Sequence, residues 1–452
     1  KGVTNNKTVS VTARVQEETA GDEYHAFTGK GIHNESVYTK WQGRRFHAGL
    51  GVTRNLFGGL TGNKEGRVKE WLPKDQYMAS GSFGYANDRV DVWYRLDYLN
   101  ESLVSPGAPN ANTHIAVDKE YLTNRFTHQL QANWTINDSW SFNAAGSYQD
   151  YTRRTRTTLY NDVTHEVNLS PEPGTQDESA FTSTTLRGTF LYKLTDHISL
   201  QPGFDVNHNK GMGERIDHER EIGDYALFAS AEIKSFGFLN IRPGLRFIYN
   251  TAYNAPPVIP SLNLKAKLSP VLDLRAAYAH GFRAPALREL YFYFFDASHS
   301  IKGNPDLEAE YSNSYTASLV WHALTKQNTD YTSTFGVFYN DFRNMIAYST
   351  PDEAGTTTYI NVNQYKTLGV SVNNTFRYKA LRANLGLMHI GVYNELSEDD
   401  ASLPEIMWTP EINTSLTYQF EKTGTSLAVF YKYTGKVAVY QWIGNSISLA
   451  ER

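Results

Sequence analysis

Apolar and polar residues alternate with a period of two along most of this chain. That pattern limits the folds open to it more than any other feature. Leu130, Ala132, Trp134 and Ile136 alternate with Gln129, Gln131, Asn133 and Thr135. After a turn signal at Asn137-Asp138-Ser139, Trp140, Phe142, Ala144, Gly146 and Tyr148 alternate with Ser141, Asn143, Ala145, Ser147 and Gln149. The same rhythm runs through Ile198–Val206, Ile412–Phe420 and Leu427–Tyr433. Residues two apart on a strand share a face, so each segment reads as a strand with one apolar and one polar side. No segment carries a convincing helical period.

The connections alternate too. Short turns are expected near 86–88, 137–138, 195–196, 235–237, 269–270, 326–328, 379–380 and 422–424. Longer polar loops lie between them, near 57–75, 104–122, 159–179, 213–221, 283–311, 349–356 and 396–407. One short-turn rim and one long-loop rim describe an up-and-down barrel of the outer-membrane kind. About eighteen strands are readable. The fold expected is therefore all-β, a large antiparallel transmembrane β-barrel. Many strands exceed the ~9–11 residues that cross a bilayer, so they are expected to project beyond it.

Composition agrees. With 13% aromatics, 30 Tyr and 20% charged residues, the chain does not resemble a disordered one. No run of eighteen apolar residues occurs, which excludes a transmembrane helix but not a barrel, whose strands hide their apolar face by alternation. A soluble propeller or tandem sandwich would also alternate, but no repeat recurs at a blade length and the strands are too long. Gln, Asn, Ser and Thr dominate the polar face, with Arg187, Asp205, Asp273 and Arg275 among them, which suits a wet lumen. Trp134, Trp140, Tyr192, Trp408 and Tyr418 lie near strand ends, as aromatic girdles require. The apolar face makes outer-membrane lipid the first expected partner. On these faces, Leu200→Arg should impair assembly and Gln201→Arg should be tolerated.

One loop stands out. Phe282-Arg283-Ala284-Pro285 opens it, Tyr291-Phe292-Tyr293-Phe294-Phe295 follows, then His299, then Asn304-Pro305-Asp306-Leu307. Residues 281–291 and 303–310 resemble the strand-to-loop signature and loop-closing segment of TonB-dependent outer-membrane receptors. Phe338–Ile346, Tyr359–Val362 and Thr367–Val370 resemble the strands that follow, although Ser371 stands where the family often has an acidic residue.

The resemblance implies a barrel of about twenty-two strands closed by a globular plug. The first strand is expected near Thr8–Glu18, so residues 1–452 are expected to be barrel throughout, with the plug and the final strands outside this chain. It further implies residence in the bacterial outer membrane and energised uptake of a scarce nutrient, heme or another iron complex first. Siderophore or cobalamin are the alternatives within the family. TonB would act through the plug, and a surface lipoprotein is a candidate co-receptor. A passive porin, or a structural or adhesive barrel, is the reading outside it.

Some heme receptors of this family carry both boxes with a histidine between them, so the resemblance makes His299 a candidate heme-iron ligand. Imidazole suits that role and a porphyrin wants aromatic walls, which Tyr291, Tyr293 and Phe295 could supply if the run is extended, with Phe292 and Phe294 on the other side. Equally, Pro285, Pro305 and Asn304 could simply fold the loop. His280 could face the lumen. His218, in the charged run 214–221, and His165, beside Glu166 in a long loop, could each bind a metal, but a solvated charge run is the plainer reading. No intrinsic cofactor or metal site is expected; heme or a ferric chelate would be cargo. No nucleophile elbow, phosphate loop, zinc motif or dinucleotide fingerprint occurs, so no enzyme is expected. Basic residues do not interleave with aromatics in the manner of a nucleic-acid surface.

Overall fold

The computed structural model describes residues 8–19, 23–27, 30–216, 218–295, 300–349, 351–394, 397, 402–436, 438–443 and 446–451. Among these residues the wall is a meander of nineteen long antiparallel strands, each paired with the next. In order they are β1 (Thr8–Glu18), β2 (Ile32–Gln42), β3 (Phe46–Phe57), β4 (Lys74–Ala86), β5 (Val90–Ser105), β6 (Ile115–Thr135) and β7 (Trp140–Asn161). A short β8 (Val167–Leu169) hangs on β7, then come β9 (Glu178–Lys193), β10 (Ile198–Gly213), β11 (Arg220–Ser235), β12 (Leu239–Asn250), β13 (Ile259–Ser269) and β14 (Leu272–Arg283). The loop after β14 contains a helix, α1 (Leu287–Tyr291), and a small hairpin of β15 (Tyr293–Phe295) and β16 (Ser300–Lys302). The wall resumes with β17 (Glu310–Lys326), β18 (Thr329–Tyr348), β19 (Thr357–Tyr378), β20 (Leu381–Tyr393), β21 (Ile406–Phe420) and β22 (Thr425–Thr434). A separate hairpin, β23 (Ala438–Ile443) with β24 (Ser446–Glu451), follows.

The expected alternation of connections holds around the meander. The tight turn that joins β2 to β3, where the Gly43 N–H donates to Phe46 O at 2.8 Å, carries no Asn-Gly or Pro signal. Strands of 22 residues in β7 and β19 are about twice the ~9–11 needed to cross a bilayer, and their outer halves build the long-loop rim.

Register fixes the two faces. Leu130 on β6 lies opposite Tyr94 and Gly146, Leu227 on β11 opposite Phe204 and Phe247, and Val337 on β18 opposite Ala317 and Val370. Leu130, Leu227 and Phe247 are exposed to the outside. In a soluble protein such a belt would aggregate; around a barrel it meets lipid. Aromatic residues mark its edges. Trp140 stacks on Tyr192 at 4.2 Å on the short-turn side, and Tyr278 meets Tyr315 at 5.0 Å on the long-loop side. Leu200 lies opposite Tyr192, at the lower edge rather than mid-depth, so Leu227 is the sharper probe of the lipid face. The inward face carries ion pairs that suit a wet lumen, Arg246–Asp205 and Lys265–Asp273, both at 3.2 Å. His280 shares the outward parity of Leu274 and Tyr278, which corrects the lumen-facing expectation, and its Nδ1 lies 3.0 Å from Asn313 Oδ1.

Candidate functional site

The loop between β14 and β17 folds across the outer rim and packs on distant strands. Pro285, which lacks an N–H and restricts the residue before it, ends β14. Glu289 then reaches back to accept from the Ala286 N–H at 2.6 Å, half of a capping box that starts α1. This helix was not legible in the sequence: five residues carry no period, and a helix so short needs tertiary packing. It finds that packing through Leu287 and Leu290, buried with Ile222 of β11 and Leu307 of the second box. Tyr253 donates its hydroxyl to Leu307 O at 3.1 Å, and burial pushes that phenol up to about 12.

The two boxes are joined by Arg283. Its guanidinium donates to Glu289 at 2.8 Å and to Glu310 at 2.6 Å, one carboxylate on α1 and one at the loop's closing end. Asn304 is the second tie. Its N–H donates to Glu289 O at 2.8 Å, its side-chain amide to Tyr359 O at 2.8 Å, and its Oδ1 accepts from Asp306 N–H at 2.9 Å. Gly303 passes so close to α1 that a Cβ would lie 2.8 Å from the Leu290 carbonyl, so only glycine fits. Arg283, Asn304 and Leu307, with buried Pro285, therefore hold the loop's shape. Phe282 meets Tyr311 at 5.6 Å with the rings tilted by 56°, and Ala284 lies in the chain's exit from β14.

The aromatic run is split between two kinds of structure. Tyr291 ends α1, packs against the small core, and has the Arg220 guanidinium 4.7 Å above its ring. Tyr293 is exposed, with its hydroxyl 3.3 Å from Ser300 Oγ. Phe295 pairs through its backbone with Ser300. His299 lies outside the described residues. The run is not uniformly extended because its first residue belongs to the helix, and among its described side chains Phe292 and Phe294 line cavities.

Two cavities meet at this segment. The outer one, about 710 Å³, is lined by Arg288, Phe292, Phe294, Ile301, Tyr348 and Tyr359. The inner one, about 460 Å³, opens to the lumen beside Arg125, Tyr151, Arg153 and Phe181, and shares Arg288, Phe292 and Phe294 with the first. Arg153 lies over the Phe294 ring at 5.2 Å. Guanidinium groups beside aromatic faces can hold a flat ring system that carries carboxylates or other anions. Sequence reasoning missed Arg125 and Arg153. The available signal was their place in the polar parity of β6 and β7, opposite the outward Phe126.

Neighbouring outer loops are also tied to one another. Arg67 pairs with Asp118 at 2.6 Å, and Arg215 pairs with Asp177. Glu23 accepts from Lys30 at 2.8 Å and from the Thr61 N–H and hydroxyl, and the Lys30 bond chiefly holds its carboxyl down at about 2. Among the described residues no group of three or more His, Cys, Asp or Glu could hold a metal ion.

Comparison with known proteins agrees with this architecture. Residues 70–448 match the family model described as TonB dependent receptor-like, beta-barrel. The hemoglobin and hemoglobin-haptoglobin-binding protein B of Haemophilus influenzae is 38% identical over 210 residues, 42% of this chain and 19% of the relative. A second such relative, protein C, is 38% identical over 88 residues, 19% of this chain and 8% of its own length. The chain thus spans at most about a fifth of the curated relatives it matches. Among solved structures, the ferric enterobactin receptor PfeA of Pseudomonas aeruginosa superposes with a TM-score of 0.65 at 15% identity, covering 96% of this chain and 69% of that one. The siderophore receptor PirA of the same organism gives 0.62 at 13% identity, covering 96% and 72%. At such identity the likeness speaks for the fold. The lipid-facing wall, the braced outer loop and the family match together make this chain the outer-membrane β-barrel of a member of the TonB-dependent receptor family, a family of receptors rather than enzymes.

Proposed function

We propose that the barrel takes up heme, or another anionic iron complex, across the outer membrane. The observation that carries this reading is the pair of cavities under the β14–β17 loop, where Arg125, Arg153 and Arg288 stand among Tyr151, Phe181, Phe292 and Phe294. Heme is a flat apolar macrocycle with two carboxylates, and this mixture of aromatic faces and guanidinium groups suits both parts. The hemoglobin-binding relatives support heme over other cargo. His299 belongs to the same loop and is the proposed ligand to the iron, with Tyr291, Tyr293 and Phe295 on its approach. Outer loops capture the complex, and differential binding to open and closed loop states retains it. Energy reaches the barrel through TonB acting on a plug encoded with the complete receptor. Nothing covalent happens to the cargo.

Titration of the complete receptor with hemin tests this. A shifted Soret band is expected, lost or altered in His299→Ala and weakened at least tenfold in affinity by Arg288→Ala. No shift in the wild type would remove heme. Binding of a ferric catecholate in its place, with the same loss in Arg288→Ala, would keep the cavity and change the cargo. A Soret shift unchanged in His299→Ala would remove that residue alone.

A further inference from the structure

The lipid-facing wall carries a hollow that the uptake reading does not use. It is a groove of about 550 Å³ crossing β13, β14, β17, β18 and β19 on the outward face, lined almost wholly by apolar atoms. Its floor follows from register. Ala276 lies directly opposite Ala317, and Ala317 opposite Val337, so small side chains sit side by side on three strands. Taller residues wall it. Leu264 stands on one flank, and Trp408 on the other, held in place by stacking on His389 at 4.8 Å with 10° between the rings. Tyr278, Tyr315 and Tyr339 close the end towards the long-loop rim.

The groove lies within the belt that meets the bilayer, so an apolar chain is the natural occupant. One layer above the tyrosines the outward face turns polar. Asp341 lies opposite Lys366 on one side and Asn313 on the other, and Asn313 lies opposite His280. Arg343 is one outward step higher on β18 and exposed, and Lys366 lies 5.1 Å over the Tyr393 ring. Two cations against one carboxylate leave an excess positive charge at headgroup depth on the outer leaflet, which favours an anion there.

We propose that this face is a binding site for one outer-leaflet lipid, with an acyl chain in the Ala276–Ala317–Val337 groove and a phosphate-bearing headgroup at Lys366 and Arg343. The site is independent of the nutrient carried. A saturated or singly unsaturated chain lies along the floor beneath the tyrosine hydroxyls, which take the glycerol or sugar region. The binding is specific in the sense that it survives removal of bulk lipid.

The test uses the complete receptor in detergent, stripped of lipid, reloaded with dioleoylphosphatidylglycerol, washed, and analysed by native mass spectrometry. One retained lipid per barrel is expected. Ala317→Phe fills the floor and should lower retention at least tenfold, whereas Ala132→Phe, which adds the same bulk to the outward face of β6, should retain it. Ala276→Leu fills the same floor with less bulk and stands in should Ala317→Phe fail to fold, folding being read from unheated gel mobility. Lys366→Gln with Arg343→Gln should abolish any preference over dioleoylphosphatidylcholine. No retained lipid in the wild type, or equal retention in Ala317→Phe and Ala276→Leu, overturns the proposal. So does a doubled mass lost in Ala317→Phe, which would assign the face to a second copy of the chain.

Discussion

The barrel wall and the β14–β17 loop are stabilised by opposite arrangements. The wall has its apolar residues outside and its polar residues inside, and its stability depends on the ladder of strand pairs and on lipid. The loop is built like a small soluble protein, with Leu287, Leu290, Leu307 and Ile222 buried in a core and Arg283 bracing the exterior. A substitution can therefore damage one and spare the other. The comparison teaches where binding geometry comes from: a period-two wall supplies a rigid rim, and a motif-held loop supplies the cavity on it.

The largest effect should come from the loop core. Leu290 is 1% exposed, and Leu290→Ala should cost about 2–5 kcal/mol. Because that core is local, proteases should cut within 284–309 while the barrel keeps its unheated gel mobility. Loss of the barrel as well would show that loop and wall are one cooperative unit. Next comes the wall. Leu227→Arg puts a charge on the lipid face near mid-depth and should cost ~2–4 kcal/mol with failed insertion, whereas Ser230→Arg on the lumen side should insert normally. Equal insertion of the two would erase the assignment of faces.

A smaller effect separates brace from core. Arg283→Ala leaves Glu289 and Glu310 facing one another; with Arg283 at 43% exposure, solvent screening should hold the cost to about 1 kcal/mol. The expected result is faster loop proteolysis, less than in Leu290→Ala, and an unchanged barrel. The smallest effect is pH-dependent. Glu23 ionises at about 2 in the folded loop against an ordinary 4.5, so its tie is fully present above about 4.5 and is lost as pH falls through about 2. Protection of the Thr61 and Gly62 amides, which donate to Glu23, should fall across that window in hydrogen exchange corrected for intrinsic rate. Protection that stays constant from pH 5 to 2 would show that Glu23 is not the tie.

How much was legible follows from the same contrast. The wall was legible because parity is local: each strand states its two faces in its own sequence, and β1 begins and ends at the residues expected, Thr8 and Glu18. Even His280 could have been assigned outward from Leu274, Ala276 and Tyr278 alone. The loop was legible as a place but not as a structure. Arg283 bonds partners 6 and 27 residues away, and Leu307 buries against Ile222 from another hairpin, contacts that no window of sequence contains. The boxes thus turned out to hold the loop, while the cavity residues Arg125, Arg153 and Arg288 come from three separate elements.

The central claim is energised uptake of an iron complex through this barrel, and one measurement bears on it most directly. Cells that express the complete receptor would be given iron-labelled hemin, with surface binding and internal label counted with and without a proton uncoupler. The account predicts receptor-dependent accumulation that the uncoupler abolishes while surface binding persists. Receptor-dependent accumulation that continues undiminished under the uncoupler would contradict it and make the barrel a passive pore.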